Sequence, residues 1–266
     1  MMPLTIQRRD VDLMTYLARH GFVAGADIRQ KFWPTYPTGT NHHSRLRKLI
    51  KVGLVAPLLG DLGTLLGYQI TPRGRALLGR MGVIACEAPT TKSMYKTAYA
   101  HNRLLYQVRD ILEGSPLVSN FVTEPELKRA LAQSIGRDLT ANDRHKVPDG
   151  QFTLTAGKRP LVVALELEMT LKRKERYFKS LENLATRSDI DTIFYVTAGP
   201  DLTRSIESAL TRVRAVSTKV KLCPKYHGFY FASLSDVLEN GLNAKFRGEQ
   251  SEYSLNSLVQ NVQHMP

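Results

Sequence analysis

The chain has 266 residues, 42% of them hydrophobic and 23% charged, a balance that excludes a disordered polymer and suits one or two globular domains. Its 37 Lys and Arg outnumber 24 Asp and Glu, and a formal charge of +13 asks for a polyanionic partner. No apolar run reaches ~18 residues, the opening residues lack a signal-peptide core, and Cys86 and Cys223 form no CxxC, so a membrane span, a secretory leader, a disulfide framework and a zinc finger are disfavoured and a reducing cytosol is expected.

Residues 1–82 read as three helices followed by a hairpin. Arg8 to Arg19 places Val11, Leu13, Met14, Leu17 and Ala18 at helical spacing, and Gly21 ends that helix. Ala24 to Phe32 is a short second helix, before Pro34 and Pro37 break the chain. Asn41 to Val52 is a third, opened by Thr38, Thr40 and Asn41 and stopped by Gly53. Leu54–Leu59 and Leu65–Ile70 then pair across Gly60-Asp61-Leu62-Gly63, and Thr71-Pro72-Arg73-Gly74 starts a further helix. This order is that of a winged helix-turn-helix, with the third helix as reader. Its polar face offers Asn41, His42, Ser44, Arg45, Arg47, Lys48 and Lys51 to DNA, with Leu46, Leu49 and Ile50 toward the core. The plainer reading is a solvated basic helix.

Residues 83–96 read as a connector, 97–240 as a second domain and 241–266 as a frayed tail or short capping segment. Tyr95–Leu112 is a helix with Leu104, Leu105, Val108, Ile111 and Leu112 in its stripe; Leu117–Val122 is a strand; Glu124-Pro125-Glu126 opens another helix. Residues 133–146 read as a polar surface loop. Strands follow at Gln151–Leu154 and Leu161–Glu168, then a helix at Leu171–Thr186, a strand at Ile190–Thr197, a helix at Leu202–Ala215, and short strands at Val220–Cys223 and Phe229–Phe231. That alternation predicts an α/β (α+β) fold, a mixed sheet flanked by helices.

The most informative stretch is Val147-Pro148-Asp149-Gly150 with the strand ending Glu166-Leu167-Glu168 and then Lys172. Residues two apart in a strand share a face, so Glu166 and Glu168 point the same way. Two carboxylates at the end of the apolar run Leu161–Leu165 repel each other unless a cation compensates, and a hard divalent ion with oxygen ligands answers that need. Asp149, Glu166 and Glu168 are thus candidate ligands for Mg²⁺ or Mn²⁺ in phosphodiester chemistry. The plainer readings are a Pro-Asp-Gly turn and a charged edge strand.

Pro-Asp, a strand ending Glu-x-Glu, and then a lysine resemble the core motif of the PD-(D/E)XK, restriction-endonuclease-like superfamily. The usual lysine position, two residues after the strand acid, holds Glu168 here, and Lys172 would reach back from the next helix. The wider segment Arg144–Gly150 with Glu166–Lys172, together with the N-terminal region, is similar to the replication-relaxation family and to MobC-type relaxases of mobilisable plasmids, over about two thirds of the chain. The resemblance implies a nicking endonuclease acting at a plasmid transfer origin in the bacterial cytoplasm, with double-stranded DNA as substrate and an accessory mobilisation protein or coupling factor as partner.

Lys172 is read either as a solvated or phosphate-contacting surface group or as the residue that positions or polarises the attacking water or stabilises the pentavalent phosphate, and Arg173, Arg176 and Lys179 as backbone contacts. His145 and His101 are candidate general bases or phosphate contacts against a structural or surface alternative, Glu124 and Glu126 candidate extra acids, and Tyr177 a candidate nucleophile or packing residue. There is no GxxxxGK[ST] loop, no GxSxG elbow and no His-hydrophobic-His motif; His42-His43 is adjacent. The rival functions are a non-catalytic replication or transcription regulator with a degenerate nuclease fold, and a general nuclease of repair or defence.

Overall fold

The computed structural model describes residues 4–35, 40–60, 63–83, 96–135, 147–155, 160–217, 228–248 and 252–257. The chain divides into two compact units, Met1–Leu104 and Leu105–Pro266. Among the described residues no helix is long and apolar enough to cross a membrane.

In the first unit, α1 (Arg8–His20), α2 (Gly25–Phe32) and α3 (Thr40–Lys51) precede the antiparallel pair β1 (Val55–Leu59) and β2 (Leu65–Ile70), then α4 (Pro72–Arg80). The apolar stripe of α1 is buried at Leu13, Met14, Leu17 and Ala18, as its spacing requires, and Gly21 closes the helix at φ +77. Thr71 caps α4 by accepting the Gly74 N–H at 3.0 Å, with Pro72 at its start. Val23, between α1 and α2, exchanges two backbone hydrogen bonds with Tyr68 of β2, each 2.9 Å. A Cβ on Gly67 would stand 2.5 Å from the Val23 carbonyl oxygen, so this third, one-residue strand needs glycine there. Arg103, in the N-terminal half of α5 (Lys96–Glu113), donates two hydrogen bonds to Asp27 of α2, at 2.9 and 3.0 Å.

The second unit is a mixed α/β sheet of seven strands in the order β3-β4-β5-β6-β7-β8-β9. β3 (Val118–Thr123), β4 (Gly150–Leu154) and β5 (Leu161–Glu168) run antiparallel; β5, β6 (Thr192–Thr197) and β7 (Phe229–Ser233) run parallel; β8 (Phe246–Arg247) and β9 (Glu252–Tyr253) close the far edge antiparallel. α6 (Glu124–Ile135) follows β3, α7 (Lys174–Ala185) and α8 (Pro200–Ser217) make the parallel crossovers, and α9 (Leu234–Asn240) follows β7. Ala164, Ile193, Tyr195, Phe229 and Phe231 meet Leu181, Leu184, Ile206 and Val213 in one cluster, so α7 and α8 cover the same face. The other face carries an aromatic chain, with Phe194 4.5 Å from Phe246 and 5.9 Å from both Phe152 and Tyr230.

Several expectations differ from the fold. The helix expected from Leu171 begins at Lys174, because residues 171–173 pass over Tyr177 and leave Leu171 66% exposed. α9 went unpredicted; its seven residues are too few to show a period. The segment expected as a tail or cap supplies β8 and β9, and Phe246 and Leu255 are buried. The expected connector, all but its two ends, and the strand at Val220–Cys223 lie outside the described residues.

Candidate functional site

Gly150 pairs with Leu165 across the β4–β5 ladder, so Asp149 falls opposite Glu166 and on the same face. Gly150 opens a strand here and does not turn the chain. A Cβ on it would come within 2.8 Å of the Phe121 ring, and its absence lets that ring close over the start of β4. Asp149 Oδ2 accepts the backbone N–H of Leu167 at 2.8 Å, and the Asp149 carbonyl accepts the Glu124 N–H at 3.2 Å. β5 is central, between β4 and β6, and both Glu166 and Glu168 are 5% exposed.

The neighbouring strand adds a residue that the sequence did not mark. Tyr195 is the register partner of Glu166 on β6, wholly buried on the same face. Burial, and then the charge of Glu166 with smaller contributions from Glu168 and Asp149, push its phenol well above the ordinary value. The Tyr195 phenol thus lies within the field of all three carboxylates. The apolar run of β6 concealed it, since nothing in Thr192–Thr197 distinguishes Tyr195 from a packing aromatic.

Lys172 Nζ lies 2.6 Å from Glu168 Oε2, and Glu168 Oε1 accepts the Thr170 N–H at 3.4 Å. Lys172 therefore does reach back to the end of β5 from the segment before α7. The Tyr177 hydroxyl accepts the Lys172 N–H at 3.2 Å and donates to the Thr170 carbonyl at 3.3 Å. Tyr177 is 2% exposed, and burial raises its pKa. That geometry makes it the support of the 170–172 segment. Arg173, Lys174, Arg176 and Lys179 are exposed along the start of α7.

Among the described residues no three His, Cys, Asp or Glu side chains are gathered as a ready ligand set for a metal ion. Asp149, Glu166 and Glu168 lie at one end of β5, the two glutamates buried and Glu168 paired with Lys172, and carboxylate oxygens are the donors a hard divalent cation takes. Glu126 does not join them, because its carboxylate caps α6 by accepting the Thr123 N–H at 2.7 Å and the Thr123 hydroxyl at 2.6 Å. Glu124 pairs with Lys128 at 2.6 Å. His145 lies outside the described residues, and His101 belongs to the first unit.

In the first unit, α3 exposes Asn41, His43, Ser44, Arg47, Lys48 and Lys51. Two residues assigned to that reading face are placed otherwise. His42 is 4% exposed and lies against His43 and Trp33, because the i, i+4, i+7 spacing that buries Leu46 and Leu49 runs back through it. Arg45 is drawn to the fully buried Asp10 of α1, with its Nε donating to Oδ1 at 2.7 Å, and also donates to the Thr5 carbonyl at 2.8 Å. It ties the third helix to the first. His43 takes the exposed position.

No known family matches the chain, and no curated protein or solved structure matches it either.

Proposed function

We propose that the protein is a metal-dependent, sequence-specific DNA nicking endonuclease, most simply a plasmid mobilisation relaxase acting at a transfer origin. The observation that carries this reading is the Asp149 carboxylate on the Leu167 N–H, which sets it beside Glu166 and Glu168 while Lys172 stands on Glu168. α5, β3, β4, β5, α7 and β6 give a helix, three antiparallel strands, a crossover helix and a parallel strand, with α6 between β3 and β4, an order compatible with a restriction-endonuclease-like core. The first unit is read as a winged helix-turn-helix, with β1 and β2 as the wing. Residues 1–104 hold 15 Lys and Arg against 5 Asp and Glu, so +10 of the +13 resides there. This concentration supports the first unit as the part that finds DNA.

Asp149, Glu166 and Glu168 would hold Mg²⁺ or Mn²⁺, which when bound stabilises charge on the attacking and leaving oxygens. Lys172 leaves Glu168 for the scissile phosphate and stabilises its developing charge. Arg173 and Arg176, exposed beside it, hold the backbone without reading sequence. Tyr177 keeps the lysine segment in place through its two hydrogen bonds. Buried Tyr195 excludes water from behind the carboxylates.

The second reading is a non-catalytic DNA-binding regulator. The 2.6 Å Lys172–Glu168 pair favours it, since that ammonium already neutralises one of the three acids. Nicking of supercoiled plasmid carrying the cognate origin, with Mg²⁺ or Mn²⁺, separates the two. Metal-dependent nicks by the wild type and none by Asp149→Asn support the nuclease; sequence-specific binding with no nick under either metal supports the regulator.

A further inference from the structure

Thr197 is the register partner of Glu168, one strand spacing or ~4.8 Å away, and lies on the same face. From Thr197 a cleft of about 630 Å³ opens past the carboxyl ends of β6 and β7. Thr197, Thr203 and Ser233 give it hydroxyls; Arg204, Lys245 and Arg247 give it cations. The Thr197 and Thr203 hydroxyls are hydrogen-bonded at 2.7 Å.

Three acids also line the cleft. Asp236 is committed to its own loop, accepting the Lys245 N–H at 2.8 Å and the Asn240 amide at 2.6 Å. Glu207 meets Arg247 at 3.3 Å and Glu252 meets Lys245 at 3.9 Å, while Arg204 pairs with Asp201 outside the cleft. Every member of these pairs is more than a third exposed, and such pairs are weakly held. A phosphate can therefore exchange for the carboxylates without leaving a buried charge unpaired.

A volume of this order holds a ligand of drug size, roughly one or two nucleotides, and is too small to enclose a duplex. The basic start of α7 and the cleft also flank the carboxylates, through Lys172 on Glu168 and through Thr197. We infer that the cleft receives one or two unpaired nucleotides of the strand adjoining the scissile phosphate, held through Arg204, Lys245 and Arg247. This rests on the nuclease reading of Asp149, Glu166 and Glu168. It requires the DNA to be locally unpaired on that side of the cut.

The test uses the full chain and a duplex with a ten-nucleotide oligo-dT arm carrying 4-thiothymidine for photocrosslinking. Crosslinks mapping to 197–204 and 245–247, absent with the blunt duplex, are expected. In binding to the free ten-mer, Arg204→Glu/Arg247→Glu should flatten the slope of log K against log salt by about 1.4, two single-strand phosphate contacts. Crosslinks elsewhere, or an unchanged slope in a variant of native circular dichroism, overturn the inference. Failure of the nuclease reading is recognised separately, as equal inactivity of wild type and Asp149→Asn on plasmid while crosslinking to the cleft persists.

Discussion

Asp149 Oδ2 accepts the N–H of Leu167 at 2.8 Å, replacing with a side chain the ladder bond that β4 is too short to make. The peptide it holds joins Glu166 to Leu167, so one hydrogen bond both ends the β4–β5 pairing and places an acid beside two others.

Asp149→Asn tests the two roles together. Asn keeps an oxygen for the Leu167 N–H, so the thermal midpoint should move little. Loss of the charge should lower metal-dependent nicking by roughly 10²-fold or more, the equivalent of the several kcal/mol that a metal supplies. A plasmid assay beside a melting curve reads both quantities.

Tyr177→Phe removes the hydroxyl between the Lys172 N–H and the Thr170 carbonyl. The expected cost is about 1 kcal/mol of stability by denaturant titration. Nicking should persist at a reduced rate. Complete loss of nicking together with loss of a covalent protein–DNA adduct would instead make Tyr177 the nucleophile.

Arg45 and Arg47 sit two residues apart on α3 and should behave oppositely. Arg45→Ala strands the buried Asp10 carboxylate and should destabilise the first unit by about 3 kcal/mol or more. Arg47→Ala, at an exposed site, should leave stability unchanged and weaken DNA binding by about 1–3 kcal/mol. Melting curves paired with filter binding separate the two.

Tyr195 sets an alkaline limit. Its folded pKa lies well above the unfolded value near 10, so the folded state holds this proton more tightly. The stability it contributes is fully present below pH 10 and is lost as pH rises above that toward the folded pKa. Tyr253, also raised by burial, acts in the same direction. Absorbance at the tyrosinate band should show a fraction of the 11 tyrosines ionising only with unfolding, and Tyr195→Phe should move the alkaline transition upward.

DNA binding should fall by roughly 10³-fold between low and moderate salt if about six phosphates are contacted. A flat response, measured by fluorescence anisotropy on a labelled duplex, would remove nucleic acid as the partner.

Much of this was legible in the chain because it is written in local periods. Leu13, Met14 and Leu17 fix α1, Pro72 after Thr71 fixes the start of α4, and the alternation of β5 sets Glu166 and Glu168 on one face. His42 carries a core signal too, since its spacing to Leu46 and Leu49 is that of a core position, though its polar side chain suggests the outer face. Tyr195 and Thr197 carried no such signal. Their place beside Glu166 and Glu168 is a matter of strand register between segments nearly thirty residues apart.

The sequence by itself determined most of the helices and the strands up to β7, the basic excess and the candidacy of Asp149, Glu166, Glu168 and Lys172, because propensity, charge and period are properties of neighbours in the chain. Only the tertiary structure decided which groups meet. It set Lys172 on Glu168, gave Arg45 to Asp10, placed Tyr177 under the lysine segment and opened the cleft at Thr197. Those pairings depend on register, crossover and packing between segments far apart in sequence, which no local pattern encodes.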